Sequence, residues 1–219
     1  MTGPRVVAYP DARTFLRRAE GWLMLREDEN NLALSLAHAL GDAPPLDGPE
    51  GYLFATVDVD GDVAGCAFRT PPHKPCLTRM PVDGAAGVAR VMADRLDQVT
   101  CPEDAGAPFR TTPDTRAGWI ARGALFLWEA GGAPVSMALV AGRTRHGVRI
   151  GYVFTPRDRR GRGYAGALTA ALSQLMLDQG ARFCVLCTDL ANPTSNALYP
   201  RVGYRPLCDE LEVEFLTAG

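Results

Sequence analysis

No stretch of this 219-residue chain approaches the ~20 consecutive apolar residues that a membrane-spanning helix needs. The opening MTGPRVVAYPDART lacks the apolar core of a secretory signal, so the expected compartment is the cytoplasm, with no membrane partner. Neither sign of charge is in excess: the formal net charge is −2, which argues against nucleic acid or an anionic lipid surface. Histidine is scarce, and His38, His73 and His146 are too dispersed to suggest a site. The six cysteines are scattered, mostly through apolar segments, and are expected to be buried thiols rather than a secreted disulfide framework. Cys184 and Cys187 form one C-x-x-C, but no second pair follows. An odd spacing on a strand also sends the two side chains to opposite faces, so no metal is expected. A Gly-Lys-Ser/Thr phosphate loop is missing.

What is present is an apolar content of 47%, ample for a packed core, and one segment where the hydrophobic period changes. Ile150, Tyr152 and Phe154 alternate as on a strand, whereas Leu168, Ala171, Leu172 and Leu175 recur at helical spacing. The join is Arg160-Gly161-Arg162-Gly163-Tyr164-Ala165. Its two glycines let backbone N–H groups converge where a helix's unpaired N-terminal donors begin. Arg157, Arg159, Arg160 and Arg162 add positive charge at that point. A strand that runs through such a turn into a helix suits a phosphate-bearing cofactor. Downstream, Gly180 reads as a helix C-cap, and Arg182 to Thr188 reads as a buried strand. Asn192 suits an N-cap and Pro193 the first turn of a further helix.

These residues resemble the GNAT superfamily, the general N-acetyltransferases. Its motif A, Arg/Gln-x-x-Gly-x-Gly/Ala, stands here as Arg160-x-x-Gly163-x-Ala165, and Asn192, Asn196, Tyr199, Gly203 and Tyr204 follow its later helix pattern in order. The resemblance covers roughly residues 120–219. It implies an α/β (α+β) fold, with a mixed, mostly antiparallel central sheet flanked by helices. It also implies that the turn from Arg160 through Gly161, Arg162, Gly163, Tyr164, Ala165 and Gly166 holds the diphosphate of coenzyme A. Val153, Phe154 and Thr155 would then offer backbone to the pantetheine arm as an added strand does. Asn192 and Asn196 either position that arm or cap and decorate their helix. The implied reaction is direct acetyl transfer from acetyl-CoA to an amine, small-molecule or peptide, with Tyr199 as proton donor to the departing sulfur. No base is assigned: Arg149 to Thr155 holds no carboxylate where many relatives carry a glutamate, and the alternatives are removal of the proton through water or a group elsewhere, Asp189 or Glu129. A non-catalytic acyl-CoA sensor or interaction domain is the competing expectation.

Earlier in the chain, residues 11–40 read as helical and stop at Gly41, with Glu27-Asp28-Glu29 as a solvated first turn. Asp60-Gly61-Asp62 marks a hairpin between Tyr52–Val59 and Val63–Phe68, Cys76 to Met80 a third strand, and Ala85 to Leu96 a helix. This ααβββα half invites comparison with the C-terminal half, since Asp60 to Ala67 sits in register with Gly131 to Ala138. We therefore read 1–97 as a degenerate GNAT-like half, 98–117 as a linker and 118–219 as the acetyl-CoA-binding domain. The first half carries Asp83 and no basic residue where the arginine turn would lie, so it is not expected to bind coenzyme A. Leu211 to Phe215 alternates as a strand and could pair within the chain or across a homodimer.

Overall fold

The computed structural model describes residues 3–41, 51–70, 75–96 and 113–209. They divide into two units, one built mainly from residues 3–26 and 33–96, the other from 27–32 and 113–208.

The N-terminal unit is a four-stranded antiparallel sheet in the order β1-β2-β3-β4: β1 Arg5–Tyr9, β2 Leu53–Val59, β3 Asp62–Arg69 and β4 Cys76–Leu77. Its helices are α1 Ala12–Leu23, α2 Asn31–Leu40, the first two residues of which belong to the other unit, and α3 Val82–Leu96. Alternation along β2 sends Leu53, Ala55 and Val57 to one face, where Val88 of α3 and Val6 meet them. Phe54 points the other way, onto Phe15 of α1, with ring centroids 5.4 Å apart. Burial on both faces explains why LFATV is apolar but for Thr56, whose buried hydroxyl lies 3.1 Å from that of Tyr9.

The C-terminal unit repeats the sheet as β5-β6-β7-β8: β5 Leu125–Ala130, β6 Ala133–Arg143, β7 Gly147–Phe154 and β8 Phe183–Val185. The first three strands are antiparallel, and β8 lies parallel to β7 because α5, Tyr164–Asp178, crosses between them. Ala138, Val148 and Ile150 pack against Leu168, Leu172 and Met176 of α5. Two further helices, α4 Pro113–Ala121 and α6 Pro193–Val202, complete the unit.

The two hairpins share a detail beyond their order. Asp60-Gly61 and Gly131-Gly132 all have positive φ, the conformation of a two-residue type I′ turn. In each hairpin one residue of the second strand then drops out of register: Ala64 falls between the partners of Val57 and Asp58, and Val135 between those of Trp128 and Glu129. Ala64 and Val135 occupy matching places in the sequence register of the two halves.

Several expectations are corrected. The N-terminal half begins with a strand, β1, which VVAY is too short to announce by period alone. The helical stretch 11–40 is broken after Leu23 by a single 3-10 turn, Met24–Arg26. Glu27 is buried rather than solvated, because its carboxylate accepts from the His146 N–H at 2.6 Å and lies 2.6 Å from the His146 ring nitrogen Nδ1. The strand expected over Arg182 to Thr188 is three residues long. Leu175 is exposed, since the buried stripe of α5 runs Leu168, Leu172, Met176 at a spacing of four. The thiols are mixed: Cys66 is buried, Cys76 and Cys184 half-buried, Cys187 and Cys208 exposed. Residues 98–112 of the expected linker, with Cys101, and the terminal run Leu211 to Phe215 lie outside the described residues, and α4 begins at Pro113. No helix among the described residues is long and apolar enough to cross a membrane.

Candidate functional site

Parallel strands β7 and β8 pair only at Gly147–Phe183, Val148–Cys184 and Arg149–Val185. Strand β7 continues to Phe154 while β8 stops at Val185, so the edge of β7 from Ile150 onward has no strand partner on that side among the described residues. The two strands part at their carboxyl ends, where open α/β sheets bind ligands. The exposed edge is a ready template for an extended arm.

A bulge shapes that edge. Met137 pairs with Phe154 and Leu139 with Gly151, so β7 holds one residue more than β6 and neither Tyr152 nor Val153 has a register partner. Tyr152 carries φ +53°, and the alternation expected over Ile150, Tyr152 and Phe154 is broken there. Val153, not Tyr152, packs into the core against α5, whereas the Tyr152 ring meets Trp119 of α4 at 5.0 Å. Phe154 is half exposed. Its carbonyl accepts from buried Ser136 at 3.0 Å; the only Ser136 hydroxyl proton is then spent, so Thr155 donates to Ser136 across 2.9 Å. The end of β7 is thereby tied to β6. The Arg160 Nε donates to the Thr155 carbonyl at 2.9 Å and folds the turn back under the strand end.

Past Thr155, a 3-10 turn over Arg157–Arg159 leads to Gly161 and Gly163, at φ +75° and +80°. Gly163 is the N-cap of α5, and no side chain caps that helix. The first-turn N–H groups of Tyr164, Ala165 and Gly166 therefore lack intrahelical acceptors, and the positive end of the helix dipole lies open. Among the described residues, a Cβ at Gly161 or Gly163 would meet no atom within 4 Å, so the space before both is open there. Arg157, Arg159, Arg160 and Arg162 are exposed around it. Glycine backbone, free helix donors and clustered guanidinium groups fit a diphosphate. Gly166 lies farther in, facing Leu198 of α6, whose Cδ1 would stand 3.0 Å from an added Cβ.

The opposite wall is the segment after β8. Asn196 uses its amide fully: Nδ2 donates to the carbonyls of Asp189 and Leu190 at 3.2 and 2.9 Å, and Oδ1 accepts from Thr188 at 3.2 Å. Asn192 caps α6, accepting from Ser195 N–H at 3.2 Å. Asp189 closes a turn onto the Ala191 N–H at 2.8 Å. Glu129 stands opposite Pro134 near the β5–β6 turn, at the same end of the sheet but two strands from β7.

On α6, half-buried Tyr199 packs edge-on to Tyr204 with centroids 6.1 Å apart. Burial raises the Tyr199 phenol above its ordinary pKa, so it stays protonated at neutral pH. Tyr204 is pushed by burial up to about 12. Because Ser173 gives its proton to the Thr169 carbonyl, Tyr204 is the donor in its 2.8 Å bond to Ser173.

Residues 92–204 match the Acetyltransferase (GNAT) family. The chain belongs to that family. Acyl transfer is the class of reaction that GNAT membership carries. Among solved structures it is similar to one from Agrobacterium tumefaciens str. C58, described as an acetyltransferase, at 24% identity over 51% of this chain and 85% of that one, with a TM-score of 0.42. An acetyltransferase of the GNAT family from Colwellia psychrerythraea is 12% identical over 91% of this chain and 95% of its own, with a TM-score of 0.49. An aminoglycoside N-acetyltransferase in complex with CoA is 16% identical over 63% and 92% of the two chains, with a TM-score of 0.33. No curated protein matches the chain.

The motifs of this GNAT chain were legible in the sequence, but the bulge, Ser136, Trp119 and the Tyr204–Ser173 bond were not. A bulge inserts a residue without altering composition, and Ser136 sits in a run that otherwise reads as plain apolar strand.

Proposed function

We propose that the chain is an N-acyltransferase that takes acetyl groups from acetyl-CoA and delivers them directly to a small-molecule or peptide amine. The observation that carries this reading is the conjunction of the parted β7 and β8 with the uncapped, glycine-led N-terminus of α5 at their carboxyl ends. The backbone at Gly161 and Gly163, the first turn of α5 and the exposed arginines would hold the diphosphate. The free edge over Val153, Phe154 and Thr155 would take the pantetheine arm by added-strand pairing. An acyl thioester bound there supplies an activated carbonyl and a thiol leaving group. The protonated Tyr199 phenol would hold the proton that the sulfur needs. Asn196 and Asn192 serve the opposite wall by fixing the turn from Thr188 to Asn192. On this reading 118–219 is the catalytic domain and 1–97 a degenerate copy, a view supported by the matched bulges at Ala64 and Val135.

Calorimetric titration with acetyl-CoA, and separately with dephospho-CoA and ATP, tests the cofactor site. Saturable binding that prefers the full cofactor supports the proposal, and no binding at millimolar concentration sinks it. A second reading, an acyl-CoA sensor without transfer, is favoured by one observation: the Asp189 carboxylate is committed to its own turn and β7 holds no carboxylate. Tight binding with no thiol released across an amine panel would select it.

A further inference from the structure

Tyr204 follows Gly203, the left-handed residue at φ +112° that closes α6, and its N–H donates to the Tyr199 carbonyl at 3.1 Å. That reversal of the chain brings its ring back to Tyr199, edge-on at 69° with centroids 6.1 Å apart. A phenylalanine would fill the same space. What the tyrosine adds is a phenol that reaches another helix: it donates to the Ser173 hydroxyl of α5 at 2.8 Å. The acceptor is fixed in turn, because Ser173 gives its own proton to the Thr169 carbonyl at 2.7 Å. Tyr204 thus meets α6 through its main chain and ring, and α5 through its hydroxyl. Among the described residues no hydrogen bond holds the Tyr199 hydroxyl, so ring packing sets where that phenol points.

We infer that Tyr204 is a positioning residue: pinned to Ser173 of α5, its ring aims the Tyr199 phenol at the sulfur of a coenzyme A held at the N-terminus of that same helix. The inference rests on the acyl-CoA reading above, in which Tyr199 holds the proton for the departing sulfur. Both ends of that proton transfer are then referred to one element, since α5 holds the cofactor at its first turn and the donor through the Ser173 bond. A ring edge suits the task because it fixes orientation as well as distance. Without it the Tyr199 side chain gains rotamer freedom, and its hydroxyl spends less time on the sulfur.

The test uses the full chain and coenzyme A labelled with carbon-13 at the carbon that bears the thiol, so that no acceptor amine is needed and the chain's own cysteines stay silent. It reads the thiol pKa of bound coenzyme A from the carbon-13 shift, with affinity measured by calorimetry. A phenol that donates to sulfur stabilises the thiolate and lowers that pKa. The unaltered chain should hold it about one pH unit below its value on Tyr199→Phe, in which the surrounding arginines are unchanged. Tyr204→Leu should lose most of that difference while affinity changes by less than about threefold, because the diphosphate cradle is untouched. Added to Tyr199→Phe, Tyr204→Leu should raise the pKa no further. An unchanged thiol pKa in Tyr204→Leu, or an equal rise in the Tyr199→Phe background, overturns the role of Tyr204. Tyr204→Phe, which keeps the ring and gives up the hydrogen bond, should fall between; a value equal to that of the unaltered chain overturns the part given to Ser173. Should Tyr204→Leu fail to fold, Ser173→Ala is compared with and without Tyr199→Phe: the pKa rises only where Tyr199 is present, and equal rises or none overturn the proposal. An unaltered chain that binds coenzyme A with the same thiol pKa as Tyr199→Phe overturns the donor role of Tyr199 and this inference with it. One that does not bind overturns the acyl-CoA reading beneath both.

Discussion

At the scale of single residues, Gly163 and Tyr199 carry opposite expectations. Gly163 has φ +80° and open space before it, so Gly163→Val costs stability through its backbone angle alone, about 1–2 kcal/mol. It should weaken coenzyme A binding tenfold or more by filling the cradle; denaturant unfolding and calorimetric titration on the same variant separate the two effects. Tyr199→Phe leaves the ring packed on Tyr204 and removes only the hydroxyl. Cofactor affinity should therefore hold while turnover falls on the order of 10²-fold. Because burial raises the Tyr199 phenol, its donor form persists as pH rises, and no loss of kcat due to this residue is expected below pH ~10. An unchanged rate in the variant would return Tyr199 to a packing role.

At the scale of elements, the turn joining β6 to β7 is held by a residue from far upstream. Burial alone would push the Glu27 carboxyl up. Hydrogen bonds from Thr144, the His146 N–H and the His146 ring outweigh that burial and hold it below the usual carboxylate range. Its folded pKa lies under the unfolded one, so its stabilisation is complete above the ordinary value and is lost as pH falls through the folded value. Denaturant unfolding between about pH 6 and pH 3 should show this decline, and Glu27→Gln should flatten it and lower stability near neutrality by about 1–3 kcal/mol. An identical acid profile in the variant would remove Glu27 from the account. Of this clamp nothing was legible in the sequence. Glu27-Asp28-Glu29 has the composition of a solvated turn, and its partner lies 119 residues away.

At the scale of the whole molecule, residues 27–32 belong to the same unit as 113–208. A fragment starting at residue 98 therefore lacks Glu27 and also Asn31, whose side chain donates to Thr144 at 3.1 Å. It should melt below the full chain, by roughly 4–8 °C for each kcal/mol lost. Equal melting temperatures in calorimetric scans would mean that the C-terminal unit needs nothing from upstream.

By itself the sequence determined the elements whose causes are local. The arginine-glycine turn, the Asn192-Pro193 helix start and the two glycine-bearing hairpin turns are each written in contiguous residues, since backbone freedom, capping and charge act within a few positions. That sufficed for the GNAT resemblance and for the strand-to-helix join at the centre of the candidate site. Tertiary structure alone decided what depends on contacts remote in sequence: the buried Glu27 clamp, the parting of β7 and β8, and the bulge that sends Val153 inward and Tyr152 onto Trp119. A period-2 pattern tells which face a side chain takes only while the ladder stays in register. One extra residue in β7 reverses it, and the partner that holds such a residue is chosen by packing rather than by neighbouring letters.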